Sequence, residues 1–267
     1  MDLQLIVICL LTAGINLIGT MAYGARIAGV RTRRIAMSFA LFNILVLVSR
    51  TANGFLGPFL ANRIEQRLAD GGGAGLEADF RLVLASASVA VFLGILLVPT
   101  GQRIFSRAIA DFQHHRSTAR MVLRTATPQG LRVIRRSVTI PVRANFKNSR
   151  SLMRQWKWVL LGNMAAQALL TVGVLASLYA GYLNPEYRVT ASQMSAIVNG
   201  FATILLFALI DPQLSVLTDD VVDGRVSEAS FRGAIVWISI SRLVGTLLAQ
   251  GLFYPSAYII AIATECC

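Results

Sequence analysis

Six stretches of mostly apolar residues, each near the ~20 needed to cross the hydrocarbon core of a bilayer, govern what this chain can become: 3–23, 35–59, 80–98, 158–179, 194–210 and 233–262. With 55% hydrophobic and 14% charged residues and a mean hydropathy of +0.62, the 267 residues are too apolar for a water-soluble domain. The expected fold is all-α, a polytopic membrane protein of six transmembrane helices that form one domain over 1–267. The first stretch has no basic segment before it and no small-residue cleavage site after it, so it reads as a retained span and not as a signal peptide. Pro255, inside the long sixth stretch, predicts a kink or an end lying in the interface.

A formal net charge of +12 would suggest nucleic acid in a soluble protein. Here the basic residues sit between apolar stretches, where they report orientation and contact with anionic lipid. The first, third and fifth connections carry nineteen Lys and Arg, the second and fourth only four: Arg63, Arg67, Arg81 and Arg188. Positive charge marks the cytoplasmic side, which predicts both termini outside. The third connection, 99–157, holds thirteen basic residues between Arg103 and Lys157. Apolar positions such as Ile104, Phe105, Ala108, Ile109 and Phe112 have helical spacing, and Pro128, Gly130 and Pro141 divide the region into about three helices. Basic amphipathic helices of this kind lie on an anionic leaflet; a docking surface for a soluble partner is the alternative. Few aromatics accompany the charge, which argues against nucleic acid as a partner.

Two basic residues fall inside apolar stretches. Arg50 lies within LFNILVLVSRTANGFLGP (41–58), where Phe42, Ile44, Leu45, Val46, Leu47 and Val48 leave no wet helix face. An ionisable residue inside a span costs about 3 kcal/mol or more and by default marks a substrate or ion path; pairing that only holds the bundle together is the alternative. Asn43, Arg50 and Gly57 recur every seven residues with Asn53 and Gly54 one turn on, so the five form a polar stripe. Comparable stripes run through the first span (Thr12, Asn16, Gly19, Thr20, Tyr23), the fourth (Asn163, Gln167, Thr171), the fifth (Ser195, Asn199, Thr203) and the sixth (Ser239, Arg242, Thr246, Gln250). One stripe is ordinary helix-to-helix adhesion. Stripes in five of six spans predict a shared hydrophilic cavity, with the third span, whose polar residues are mainly Ser86 and Ser88, peripheral.

At ~1.5 Å of rise per residue, Arg242 lies roughly 13 Å in from the cytoplasmic end of its span and Arg50 roughly 22 Å, as successive rungs for an anion. The planar fork of arginine binds phosphate oxygens through two donors and stays charged at any accessible pH. Asp211, followed by Pro212 at the cytoplasmic end of the fifth span, is a counter-ion for Arg242 or a polar helix terminus.

Catalytic constellations are thin. Asp219, Asp220 and Asp223 spell DDxxD, a pattern that holds magnesium against a diphosphate in membrane prenyltransferases, but the second aspartate-rich segment of such enzymes is missing. The alternative is a solvated loop. The glycine run 71–75 lacks the lysine and hydroxyl of a P-loop, and adjacent His114 and His115 do not share a helix face. Cys9, Cys266 and Cys267 give no disulfide framework and no metal spacing. No cofactor, no metal and no enzymatic activity are expected.

The segments TMAYGARIAGVRTRR (20–34), SFALFNILVLVSRTAN (38–53) and PFL (58–60), then TILLFALIDP (203–212) and LTDDVVDGRVSEASFR (217–232), resemble the bacterial Amj family, the "alternate to MurJ" lipid II flippases. The resemblance covers essentially the whole chain, with the long basic connection in its expected place. It implies translocation of lipid II, the undecaprenyl-pyrophosphate-linked disaccharide-pentapeptide of peptidoglycan synthesis, from the inner to the outer leaflet of the cytoplasmic membrane. Transport of another polyprenyl-linked glycan, or an enzyme acting on polyprenyl diphosphate through the three aspartates, are the alternatives. With lipid II as substrate, the pyrophosphate suits Arg50 and Arg242, and the sugar-peptide head suits the amide and hydroxyl stripes. Arg31, Arg33 and Arg34, at the cytoplasmic mouth of the second span, are a capture site or only topology determinants.

Overall fold

The computed structural model describes residues 2–69, 75–115, 137, 139 and 156–266. The expectations for the glycine run, for the side chains of His114 and His115, and for the basic region beyond 115 apart from Ser137 and Thr139 fall outside the described residues. Every regular element among them is helical: α1 (Leu3–Thr32), α2 (Ile35–Ala69), α3 (Leu76–His115), α4 (Lys157–Leu183), α5 (Arg188–Leu205), α6 (Asp211–Val222) and α7 (Glu228–Glu265). A single 3-10 turn, Pro185–Tyr187, precedes α5, and a π turn, Leu206–Ile210, joins α5 to α6 so that 185–222 acts as one span. Six helical segments are thus long and apolar enough to cross a membrane.

The helices overrun the apolar stretches at most ends. α1 has 30 residues and α3 has 40. At ~1.5 Å per residue the longer ones exceed the ~30 Å hydrocarbon core by a wide margin. Hydropathy falls where the first charges appear, but the backbone stays helical until something stops it. For α1 that stop is Arg33, in the left-handed region at φ 54°, with the Arg34 amide returning to the Gly29 carbonyl at 3.1 Å. Pro58, Pro99 and Pro255 all lie inside helices, so Pro255 does not end α7.

Packing divides the spans into two groups of three. α1 stands between α2 and α3, α4 stands between α5 and α7, and the groups join mainly where α3 meets α7. Small residues allow the tight crossings. A Cβ on Gly24 of α1 would lie 3.1 Å from the Val98 carbonyl of α3, and one on Gly245 of α7 would lie 2.5 Å from the Met164 carbonyl of α4. The third span stays outside the cavity, as expected, but it is central to packing because it joins the two groups.

Two apolar clusters close the two ends of the bundle. One, near the chain termini, gathers Leu60, Phe80, Tyr179 and Phe253, with the Phe80 and Phe253 rings stacked at 5.7 Å. Above it, buried Arg63 donates to Asp79 at 2.7 Å and Asp2 at 3.2 Å and so ties α1, α2 and α3 together. The other cluster, near the α1–α2 turn, gathers Tyr23, Phe42, Leu214 and Phe231. The space between the clusters sets polar and charged side chains among apolar ones.

Candidate functional site

A cavity of about 400 Å³ occupies that space. Its walls come from α1, α2, α4, α5 with the π turn, and α7, and α3 contributes none. This is the set of spans that carry polar stripes in the sequence. Thr12 and Asn16 on α1, Asn53 on α2, Gln167 and Thr171 on α4 and Ser195 and Asn199 on α5 supply its amides and hydroxyls.

Two guanidiniums enter this space. Arg50 donates from Nη1 to Thr203 Oγ1 at 2.6 Å and lies 5.3 Å over the Phe207 ring, while its Nε is buried without a partner. Arg242 donates from Nη2 to Asn16 Oδ1 at 3.4 Å, and its Nε is likewise unpartnered. A Cβ on Gly19 would stand 2.8 Å from Arg242 Nη2, so the missing side chain is the room that the guanidinium uses. Among the described residues no carboxylate bridges either arginine. The cavity therefore holds two cations whose donors are only partly used, and a buried donor without an acceptor is costly. A bound anion would satisfy both.

Asp211 lines the cavity too, but its partner is Arg26 and not Arg242: Arg26 Nη2 to Asp211 Oδ1 is 2.7 Å. Arg26 is 2% exposed and stacks over Phe42 at 4.3 Å and Phe39 at 4.8 Å. Sequence reasoning placed Arg26 in a connection because it follows the apolar stretch. The signal that it belongs to the helix is the continuing run of small residues, Ala22, Gly24, Ala25, Ala28 and Gly29, which a surface loop does not need. Asp211 is the first residue of α6, and through the π turn before it the helical path runs on from α5 to Val222. Pro212 has no N–H to give the Ala208 carbonyl, and the turn widens so that the Asp211 amide reaches back to Leu206.

The sequence profile of the family described as Amj, alternate to MurJ, matches residues 11–264, a range that includes every residue of this cavity. The chain belongs to the Amj family. A Bacillus subtilis (strain 168) protein named lipid II flippase Amj is 36% identical over 255 residues, which cover 94% of this chain and 93% of that one. No solved structure matches the chain. With six spans and this membership, it is a multi-pass bacterial membrane protein.

For this Amj-family chain the remaining candidate residues divide as follows. Asn53 joins Arg50 in the cavity wall, whereas Asn43 is exposed outside it. Seven residues turn a helix by about 700°, so Asn43 and Arg50 share nearly one azimuth at the edge of the cavity-facing arc. The long arginine reaches in from that edge and the short amide does not. Arg242 lies fourteen residues into α7, which begins at Glu228 and not at Gly233, so its rise is ~21 Å against ~22 Å for Arg50, fifteen residues into α2. The two arginines stand at one level and not on successive rungs. Arg31, Arg33 and Arg34 are exposed at the α1–α2 turn, and Arg31 Nε meets Glu228 Oε1 at 3.2 Å. Asp220 and Asp223 are both held by Arg225, the former at 2.9 Å.

Proposed function

We propose that this chain moves lipid II from the cytoplasmic to the outer leaflet of the bacterial cytoplasmic membrane. The observation that carries the reading is the pair Arg50 and Arg242: two guanidiniums that line one cavity between the spans, neither in a salt bridge, with buried donors left unpartnered. Membership of the Amj family and the 36% identity to a protein named lipid II flippase supply the substrate. A pyrophosphate carries about two negative charges and cannot cross hydrocarbon alone, because each buried polar group without a partner costs kilocalories. Two arginine forks neutralise it, and the amides and hydroxyls around them replace water on the sugars and peptide.

In this reading both termini lie outside, and the α1–α2 turn faces the cytoplasm. Arg31, Arg33 and Arg34 capture the pyrophosphate there, before the apolar cluster at that end parts to admit it. Arg26 and Asp211 guard the same end of the cavity, and the basic residues of 99–157 rest on the anionic inner leaflet. The polyprenyl tail stays in lipid throughout.

The experiment is rescue. In a bacterium depleted of its resident lipid II flippase, the native chain restores growth and the exposure of lipid II at the outer leaflet, while Arg50→Ala, inserted to the same level, does not. A native chain that is inserted but restores neither sinks the lipid II assignment.

A further inference from the structure

Resting on that reading, we propose that the seam between α2 and α5 is the lateral site for the hydrocarbon tail of the lipid-linked diphosphate, and that Arg50 bridges the seam until a diphosphate takes it. Three of the other neighbouring walls are packed helix on helix, α1 on α2, α4 on α5 and α4 on α7, and the thinly packed α1–α7 wall is backed by α3, which packs on both. α2 and α5 do not pack along their lengths, although they face each other across the cavity. What joins them is one long side chain, Arg50, with its 2.6 Å bond to Thr203 and its place over Phe207.

The rim around that bridge is open. Gly54 and Phe207 line the cavity and are exposed, which puts an accessible edge of the cavity at this seam. A Cβ on Gly54, Gly57 or Gly200 would meet nothing within 4 Å. Leu47 of α2, about 60° of helical turn from Arg50, and Ile204 of α5, about 100° from Thr203, are apolar and exposed beside the bridge. Cations inside, bare glycines at the rim and apolar flanks outside fit an amphiphile whose charged group joins directly to a hydrocarbon chain. A water-soluble phosphate has no use for a side opening into lipid.

The bridge also has a release mechanism. Thr203 is a neutral acceptor, whereas a diphosphate oxygen is charged and makes a hydrogen bond roughly twice as strong. Thr203 Oγ1 itself donates to the Asn199 carbonyl at 2.6 Å, so the hydroxyl keeps a partner when Arg50 leaves. Binding of the head therefore unfastens the seam through which its own tail must slide.

Two measurements test this. Undecaprenyl diphosphate carrying a diazirine midway along its tail is irradiated with the purified chain in lipid discs, and the labelled peptides are identified. Label concentrated in 45–59 and 196–207 supports the proposal; label spread evenly over the lipid faces of α3 and α7 as well overturns it. In a chain whose three cysteines are replaced by serine, Thr51→Cys and Gly200→Cys, both outside the cavity lining, are joined by a thiol-reactive linker with a reducible spacer. Transport that stops on linking and returns on reduction, with single-cysteine chains unaffected by the reagent, is the expected result. Transport that continues through a linked seam overturns the proposal while leaving the flippase reading intact, and loss of transport in the unlinked native chain sinks that reading instead.

Discussion

Arg26 holds Asp211 where the cavity wall meets the apolar cluster at the α1–α2 turn, and the pair is more informative than either residue. Removing one partner of a buried pair leaves the other charge uncompensated, at a cost on the order of 3 kcal/mol. Arg26→Ala should thus lower the thermal stability of the purified chain markedly, and Asp211→Asn added to it should recover part of the loss; a double variant no better than the single one would mean the two do not act as a pair. Gly19→Ala sets a finer test. The added methyl falls 2.8 Å from the free end of a flexible guanidinium, so stability should hold while transport drops as Arg242 is pushed aside. At this scale the sequence was only half legible. Polar stripes announced which spans share the cavity, and Arg50, Asn53 and Arg242 did reach it. The partner of Asp211 was hidden because pairings between distant helices leave no local pattern, and Asn43 fell short because side-chain length, and not azimuth, decides entry from the edge of an arc.

The fifth span shows what an element contributes beyond its residues. Pro212 breaks the α ladder, the π turn at Leu206–Ile210 takes up the slack, and that turn places Leu206, Phe207, Ile210 and Asp211 on the cavity. Pro212 sits in the first turn of α6 with its ring already accommodated by the π turn, and Pro212→Ala restores the missing N–H so that the α ladder can close through 206–212. The variant should stay folded yet transport less, because the restored α pitch re-aims those side chains; equal transport would show the π turn to be dispensable. The turn after α1 offers the opposite contrast. Arg33 holds a left-handed backbone that glycine adopts freely, at a cost of order 1 kcal/mol. Arg33→Gly should accordingly raise stability, and if Arg33 serves capture, the same change lowers transport at limiting lipid II. Helix number was plain from hydropathy, but helix ends were not, since charge ends a hydropathy run long before it ends a helix.

For the molecule as a whole, orientation is the first quantity to fix. With Cys9 and Cys267 replaced by serine, Cys266, exposed at the end of α7, should react with a membrane-impermeant maleimide in intact spheroplasts. Reaction only after permeabilisation would turn the protein over and put the capture arginines outside. Whichever way it faces, three is an odd number, and this has a consequence for the two packing groups. α1, α2 and α3 cross alternately, so α4 sets out from the side on which α3 ended, and the second group runs through the membrane in the opposite sense to the first, its first helix again packed against the other two. The prolines run in parallel: none in α1 or α4, one in the interior of the second span of each group (Pro58, Pro212, besides Pro185 at the very start of the fifth span) and one inside the third (Pro99, Pro255). Two halves related in this way can trade conformations, and the traded molecule is the original seen from the opposite leaflet. A fold that closes toward one side of the membrane thereby already contains the instructions for closing toward the other.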